Sequence, residues 1–168
     1  ITVRLDAPAT TVTLNAAEIT FTEVTIDAGG KTQTATVKTD EAREMATFTV
    51  PSRMAAGPAT IRIAYTGILN DKLRGFYLSK GATRNYAVSQ MEATDARRAF
   101  PCFDEPAKKA TFDISITAAT GDTPISNGAS DSTSRGRSPA SRRITSQWNL
   151  SGHRNSSRAT KQRPRWAT

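Results

Sequence analysis

Apolar and polar residues alternate with a period of two in one short run after another over the first 128 residues. Ile1, Val3 and Leu5 alternate with Thr2 and Arg4; Ala46, Phe48 and Val50 alternate with Thr47 and Thr49. Ile61, Ile63 and Tyr65 alternate with Thr60, Arg62 and Ala64, and Phe112, Ile114 and Ile116 with Thr111, Asp113, Ser115 and Thr117. Successive side chains of a strand point to opposite faces, so this pattern predicts strands with one face buried. Ile19 and Phe21 keep one phase and Val24 and Ile26 the other, which predicts a bulge between them. Asp27-Ala28-Gly29-Gly30-Lys31 predicts a hairpin loop, because paired glycines supply the positive φ angles a tight turn needs. Lys31 to Thr39 reads as one Thr-rich strand, and Asp40 to Met45 as a turn. Turn residues separate the runs at the spacing of a β-sandwich.

Helix is scarce. Thr94 is a candidate cap for a short turn through Asp95-Ala96-Arg97-Arg98, which Pro101 would stop. No internal repeat is visible, and the length of 168 residues suggests one domain.

Charge divides the chain. Residues 1–128 hold 14 Lys and Arg against 14 Asp and Glu, a balance of zero. Residues 129–168 hold 9 against the single Asp131, so the whole net charge of +8 lies there, with Trp148, Trp166 and the lone His153. That segment is dominated by Ser, Arg, Thr and Pro, and Ile144 and Leu150 are its only large aliphatic residues. It cannot bury enough apolar area to offset its ordering entropy, so a disordered tail is expected over 129–168. Such composition also fits an out-of-frame reading of a GC-rich gene, and a frameshift is the expected origin. The single cysteine, Cys102, excludes an intrachain disulfide and fits a reducing, cytoplasmic location. No apolar run approaches the roughly 18–20 residues of a membrane-spanning helix, and no signal peptide is visible. Ile1 already reads as strand, so the domain is expected to lack its first strands.

The segment from Gly75 to Ala110 carries the candidate chemistry: Gly75-Phe76-Tyr77-Leu78-Ser79, then Gln90-Met91-Glu92-Ala93-Thr94-Asp95-Ala96-Arg97-Arg98, then Ala99-Phe100-Pro101-Cys102-Phe103-Asp104-Glu105-Pro106. Lys109-Ala110-Thr111-Phe112 and Ser126-Asn127 follow, and Leu14-Asn15-Ala16 stands upstream. Read alone, Asp95, Arg97 and Arg98 are an ion-paired brace for a loop. Asp104-Glu105 is a turn fixed by Pro106 rather than a general acid and base. Cys102 is a small buried hydrophobe, since residues 1–128 contain no histidine to activate it.

These motifs resemble those of the zinc aminopeptidases of the aminopeptidase N family, which includes the puromycin-sensitive enzymes. The resemblance implies an all-β, saddle-like sandwich that packs against a thermolysin-like catalytic domain. It further implies that Glu92 accepts hydrogen bonds from the free α-amino group of a peptide substrate. Gln90 would line the pocket for the first side chain. A fixed carboxylate for a buried ammonium is sound chemistry. With strand periodicity the two residues would share one face of an extended segment.

The family's zinc site uses His-Glu-x-x-His on a helix, and substrate binding uses Gly-x-Met-Glu-Asn. Neither motif is present in the 168 residues, and His153 is followed by Arg154. Metal and catalytic residues are therefore expected to be none in this chain, with zinc in the parent enzyme. The expected partners are a peptide N-terminus and the parent's catalytic domain. Two other readings stay open: a stand-alone β-sandwich that binds peptide N-termini through Glu92, and nucleic-acid binding by the basic tail. The tail carries no patterned motif, so nucleic acid is not the expected partner.

Overall fold

The computed structural model describes residues 1–118, 122–126, 129–131 and 141–146. It divides into two units, Ile1–Lys108 and Lys109–Thr168. The first unit contains β1 (Thr2–Leu5), β2 (Ala9–Asn15), β3 (Ile19–Ala28), β4 (Lys31–Thr34), β5 (Thr36–Asp40), β6 (Met45–Met54), β7 (Gly57–Gly67), β8 (Gly75–Lys80), β9 (Asn85–Gln90) and the single helical turn α1 (Ala96–Ala99). They form an antiparallel four-stranded sheet in the order β1-β7-β3-β4, an antiparallel three-stranded sheet β2-β6-β5, and the ribbon β8-β9.

The two larger sheets share one apolar core. Val24, Ile26, Ala28, Ala59 and Ile61 enter it from the four-stranded sheet, and Val12, Leu14, Ala46, Phe48, Val50 and Met54 from the three-stranded one. Phe48 and Ile26 are wholly buried. Phe21 meets Phe48 edge to face, with ring centroids 5.4 Å apart, the arrangement the aromatic quadrupole favours. The alternation of the sequence is the alternation of burial along β6 and β7.

The bulge lies where the phase change predicts it. Phe21 faces Tyr65 and Glu23 faces Ala64, so the extra residue in β3 is Thr22. It lets Ile19 and Phe21 pack on the same core as Val24 and Ile26. Ala28 pairs with Lys31 across Gly29 and Gly30, whose φ angles of +62° and +76° close the hairpin.

The predicted strand Lys31–Thr39 is two strands. β4 pairs with β3 and β5 with β6, so the chain changes sheets at the buried Ala35, whose N–H donates to Val24 O at 2.9 Å. The Gln33 side chain supports the crossing. Its Nε2 donates to Ser52 O at 3.1 Å, and its Oε1 accepts from Ser52 N–H at 2.9 Å. A buried amide is thereby satisfied by a strand of the opposite sheet. The turn after β5 is present, with Asp40 paired to Met45.

In the second unit β10 (Phe112–Thr117), β11 (Ala129–Asp131) and β12 (Ser141–Ser146) form an antiparallel sheet in the order β10-β12-β11. Two of these strands fall within the segment expected to be a disordered tail; the rest of 129–168, with His153, Trp148 and Trp166, lies outside the described residues. Among the described residues no helix is long and apolar enough to cross a membrane.

The core predicts a graded response. Phe48→Ala should cost about 3–5 kcal/mol, whereas Val88→Ala, on the exposed ribbon, should change stability by less than about 0.5 kcal/mol. Chemical denaturation of the full chain measures both. Equal losses would place the stabilising core elsewhere.

Candidate functional site

Residues 91–108 leave the ribbon, make one helical turn and run back along the edge of the sandwich. Ala96, Pro101 and Cys102 are buried in this stretch and Phe103 packs against the core, and polar contacts fix the path of the loop between them. β9 stops at Gln90, which is exposed and faces Gly75 across the ribbon. A tight turn follows. Asp95 N–H donates to Met91 O at 3.0 Å and encloses the exposed Glu92, whose peptide bond to Ala93 is cis. Strand periodicity therefore ends two residues before Glu92, and the shared face expected of an extended segment does not carry across. The residue at the N-cap of α1 is Asp95, not Thr94, and its carboxylate does not cap the helix. It turns instead to Arg98, with Oδ1 accepting from Nε at 3.1 Å.

Arg97 and Arg98 organise the loop. Arg97 Nε donates to Asp104 Oδ2 at 2.9 Å, and its Nη1 lies 3.2 Å from Glu44 Oε2. Arg98 Nη2 donates to Glu44 Oε1 at 2.5 Å, and its Nη1 lies 3.1 Å from Glu18 Oε1. The guanidinium side chains keep only 13% and 15% of their surface exposed and Asp104 only 6%. Two cations are thus matched by Glu18, Glu44, Asp95 and Asp104 in a partly buried setting, with Asp104 the most enclosed of the four carboxylates and charge-assisted bonds joining them. Burial pulls the Arg97 pKa down, but the Asp104 and Glu44 carboxylates outweigh it and leave it raised.

Glu18 and Glu44 both adopt left-handed backbone, with φ of 56° and 53°. That conformation is unfavourable for a side-chain-bearing residue. Each of the two carries a carboxylate onto Arg98. The ion pairs and the bends that deliver them occur at the same residues.

Backbone contacts complete the clamp. Asn15 N–H donates to Cys102 O at 2.8 Å and Cys102 N–H to Asn15 O at 3.0 Å, a short antiparallel bridge. Asn15 Oδ1 accepts from Asp104 N–H at 3.1 Å. Ala17 N–H donates to Arg97 O at 3.0 Å, Ala16 N–H to Glu44 O at 2.8 Å, and Tyr65 OH to Ala99 O at 2.9 Å. The Leu14-Asn15-Ala16 motif and the Ala99-to-Pro106 motif are therefore two halves of one contact. Glu105 O accepts from Lys108 N–H at 2.9 Å across Pro106, so the predicted turn is present and Asp104 is held by Arg97.

Sequence reasoning placed Asp95, Arg97 and Arg98 in a brace, and they form one. It missed Glu18 and Glu44, which stand far from the motif in sequence and carry no local signal. An open cavity of about 480 Å³ lies beside the brace, lined by Glu18, Phe21, Glu41, Glu44, Met45 and Arg98 among others; Gln90 and Glu92 do not line it.

A zinc site does not fit these residues. Among the described residues no group of three or more His, Cys, Asp or Glu could hold a metal. The four clustered carboxylates are each committed to a guanidinium.

Comparison with known proteins follows the same motifs. Residues 1–152 match the family profile described as Peptidase M1 N-terminal domain, and the match continues past the composition change at Asn127-Gly128. The chain is 39% identical over 137 residues to "Aminopeptidase 2, mitochondrial" of Saccharomyces cerevisiae, covering 76% of this chain and 14% of that protein. It is 40% identical over 131 residues to "Alanine/arginine aminopeptidase" of the same yeast, covering 73% and 15%. It is 35% identical over 148 residues to "Aminopeptidase N" of Acetobacter pasteurianus, covering 81% and 41%. The chain thus spans about one seventh of the length of the two yeast proteins.

Cys102 is buried between these contacts, and burial, with the Asp104 carboxylate nearby, pushes its pKa from 9.0 up to about 12. A thiol whose folded pKa lies above its unfolded value keeps its proton longer in the folded state. Its contribution to stability is full below pH 9 and is lost as pH rises through about 12. Cys102→Ala should therefore lose less stability than the wild type between about pH 8 and about pH 11 in denaturation titrations. Equal losses would show that Cys102 is not held as a neutral thiol.

Proposed function

The chain belongs to the Peptidase M1 N-terminal domain family, and from that premise we propose that it is the non-catalytic N-terminal part of a zinc metallo-aminopeptidase. In this reading Glu92 supplies the carboxylate that holds the α-amino group of a peptide substrate, and Gln90 lines the pocket for the first side chain. The M1 family is zinc-dependent. The 168 residues hold neither His-Glu-x-x-His nor Gly-x-Met-Glu-Asn, so zinc and the hydrolytic step belong to a catalytic domain outside them.

The observation that carries the reading is the contrast between Glu92 and every acidic residue of the brace. Glu18, Glu44, Asp95 and Asp104 are spent on Arg97 and Arg98, whereas Glu92 stands exposed at the tip of the turn those pairs immobilise. An exposed carboxylate on a fixed loop has its acceptor oxygens available to a ligand ammonium. Binding then loses little entropy, because the loop is already ordered. A substrate whose amino group must reach that carboxylate is read from its N-terminus, which is the logic of an exopeptidase.

The ribbon supports a second part of the proposal, that the catalytic domain is the partner of this unit. Ile68, Leu69, Leu73, Phe76 and Val88 are large apolar residues exposed in the β7–β8 connection and the ribbon β8-β9. A two-stranded ribbon with exposed apolar side chains is weakly stable in water and suits burial by a further domain.

Titration of the full chain with a short free-amine peptide and its N-acetylated form tests the anchoring role. The free amine should bind at least about tenfold more tightly, a difference of about 1.4 kcal/mol. Glu92→Gln should remove the preference, and no amino acid should be released. Equal binding of both peptides would reject Glu92 as the anchor, and release of N-terminal amino acids would reject the non-catalytic assignment.

A further inference from the structure

Gly75 is the one described glycine that combines a left-handed backbone with a crowded α-carbon. Its φ is +65°, and an added Cβ would lie 2.8 Å from Arg98 Cβ, 3.0 Å from Asp95 O and 3.4 Å from Ala99 N. The first distance is too short for a carbon to occupy, and at the second the neighbour must give by a few tenths of an ångström. The obstructing atoms are backbone and a side-chain root, not the far end of a flexible group that could swing away. The other left-handed glycines, Gly29, Gly30 and Gly57, have nothing within 4 Å of that position.

The location gives this crowding its meaning. On one side Gly75 is the register partner of Gln90, the last residue of β9. On the other it presses on Asp95 and Arg98, the start and middle of the ion-paired turn. The four residues between Gln90 and Asp95, with Glu92 among them, span the gap that Gly75 sets. Met91 O accepts from Asp95 N–H at 3.0 Å, so the turn closes on the residue Gly75 touches.

We infer that Gly75 and Arg98 are positioning residues for Glu92: the bare α-carbon of Gly75 seats the ribbon against the charge-held turn and thereby fixes where the Glu92 carboxylate stands. The inference rests on the proposed anchoring role of Glu92 and adds the residues that set its position. A methyl group at Gly75 must push Asp95 and Arg98 away from the end of β9. The turn between them then shifts, and a hydrogen bond to the Glu92 carboxylate weakens steeply as its distance and angle depart from the favoured geometry.

The test uses the full chain as wild type, Gly75→Ala and Gly29→Ala. The Gly29 variant carries the same left-handed backbone penalty without the clash, so it separates strain from positioning. Two quantities are read: amide hydrogen exchange at Asp95, with Phe48 and Ile61 as core references, and binding of tetra-alanine against N-acetyl-tetra-alanine. Gly75→Ala should speed exchange at Asp95 at least about tenfold while the core stays protected, and should abolish the free-amine preference. Gly29→Ala should change neither. Unchanged Asp95 exchange in Gly75→Ala overturns the inference, and so does a free-amine preference equal to that of the wild type. If the wild type itself fails to distinguish the two peptides, the anchoring role of Glu92 falls, and the exchange comparison alone decides whether Gly75 fixes the turn. If Gly75→Ala loses core protection, Arg98→Lys takes its place. It keeps the charge but loses the guanidinium fork, and it should show the same selective loosening; a wild-type result in that variant overturns the inference.

Discussion

Two largely buried guanidinium groups side by side are the constraint on which the loop after β9 and its seat on the sandwich depend. Neither arginine can shed its charge, and leaving either unpaired would cost several kcal/mol. The chain meets this requirement from four directions: Glu18 from the entry to β3, Glu44 from the β5–β6 turn, Asp95 from the start of α1 and Asp104 from the returning loop. Glu44 serves both arginines, so the β5–β6 turn cannot move without disturbing each. Buried charge is weak evidence for net stability, since its desolvation offsets much of the attraction. What it supplies here is registry. The pairs bring four separate stretches of chain to one loop.

The sandwich and the brace divide the work. The shared core of β2, β3, β6 and β7 is apolar and holds the sheets together. The loop after β9 buries Ala96, Pro101 and Cys102 and is held besides by charge and by the Asn15–Cys102 bridge. The residue proposed to meet a substrate stands at the exposed end of that loop, where a rigid support costs least to a binding event. A site residue on a loop, positioned by a scaffold of strands, is a common arrangement for binding chemistry. Membership of the Peptidase M1 N-terminal domain family gives this arrangement its context.

Features with a local cause could be read in the sequence. The phase change between Phe21 and Val24 announced the bulge at Thr22, and the paired glycines announced the β3–β4 hairpin. The motif from Gly75 to Ala110 announced the family. Features with a distant cause could not be read so. The change of sheets at Ala35 leaves no mark in alternation, because both halves of the Thr-rich run are extended; the reason lies in Ser52, which pairs with the Gln33 side chain. Glu18 and Glu44 look like any other exposed acid until Arg98 is brought to them across more than fifty residues of chain in the case of Glu44. The end of β9 at Gln90, with a turn in place of an extended segment at Glu92, follows from the bond between Met91 and Asp95 and the pull of Arg98 on Asp95. Periodicity describes strands and has nothing to say about where a charge network ends one.

The central claim is that Glu44 and Arg98 are energetically joined, tying the sandwich to the loop that presents Glu92. A double-mutant cycle on the full chain, with Glu44→Gln, Arg98→Ala and the pair compared by chemical denaturation, measures that joining directly. The account predicts that the single losses fail to add, with a coupling of about 1–3 kcal/mol. Losses that add to within about 0.3 kcal/mol would contradict it and leave the loop held by its other ion pairs and its backbone contacts.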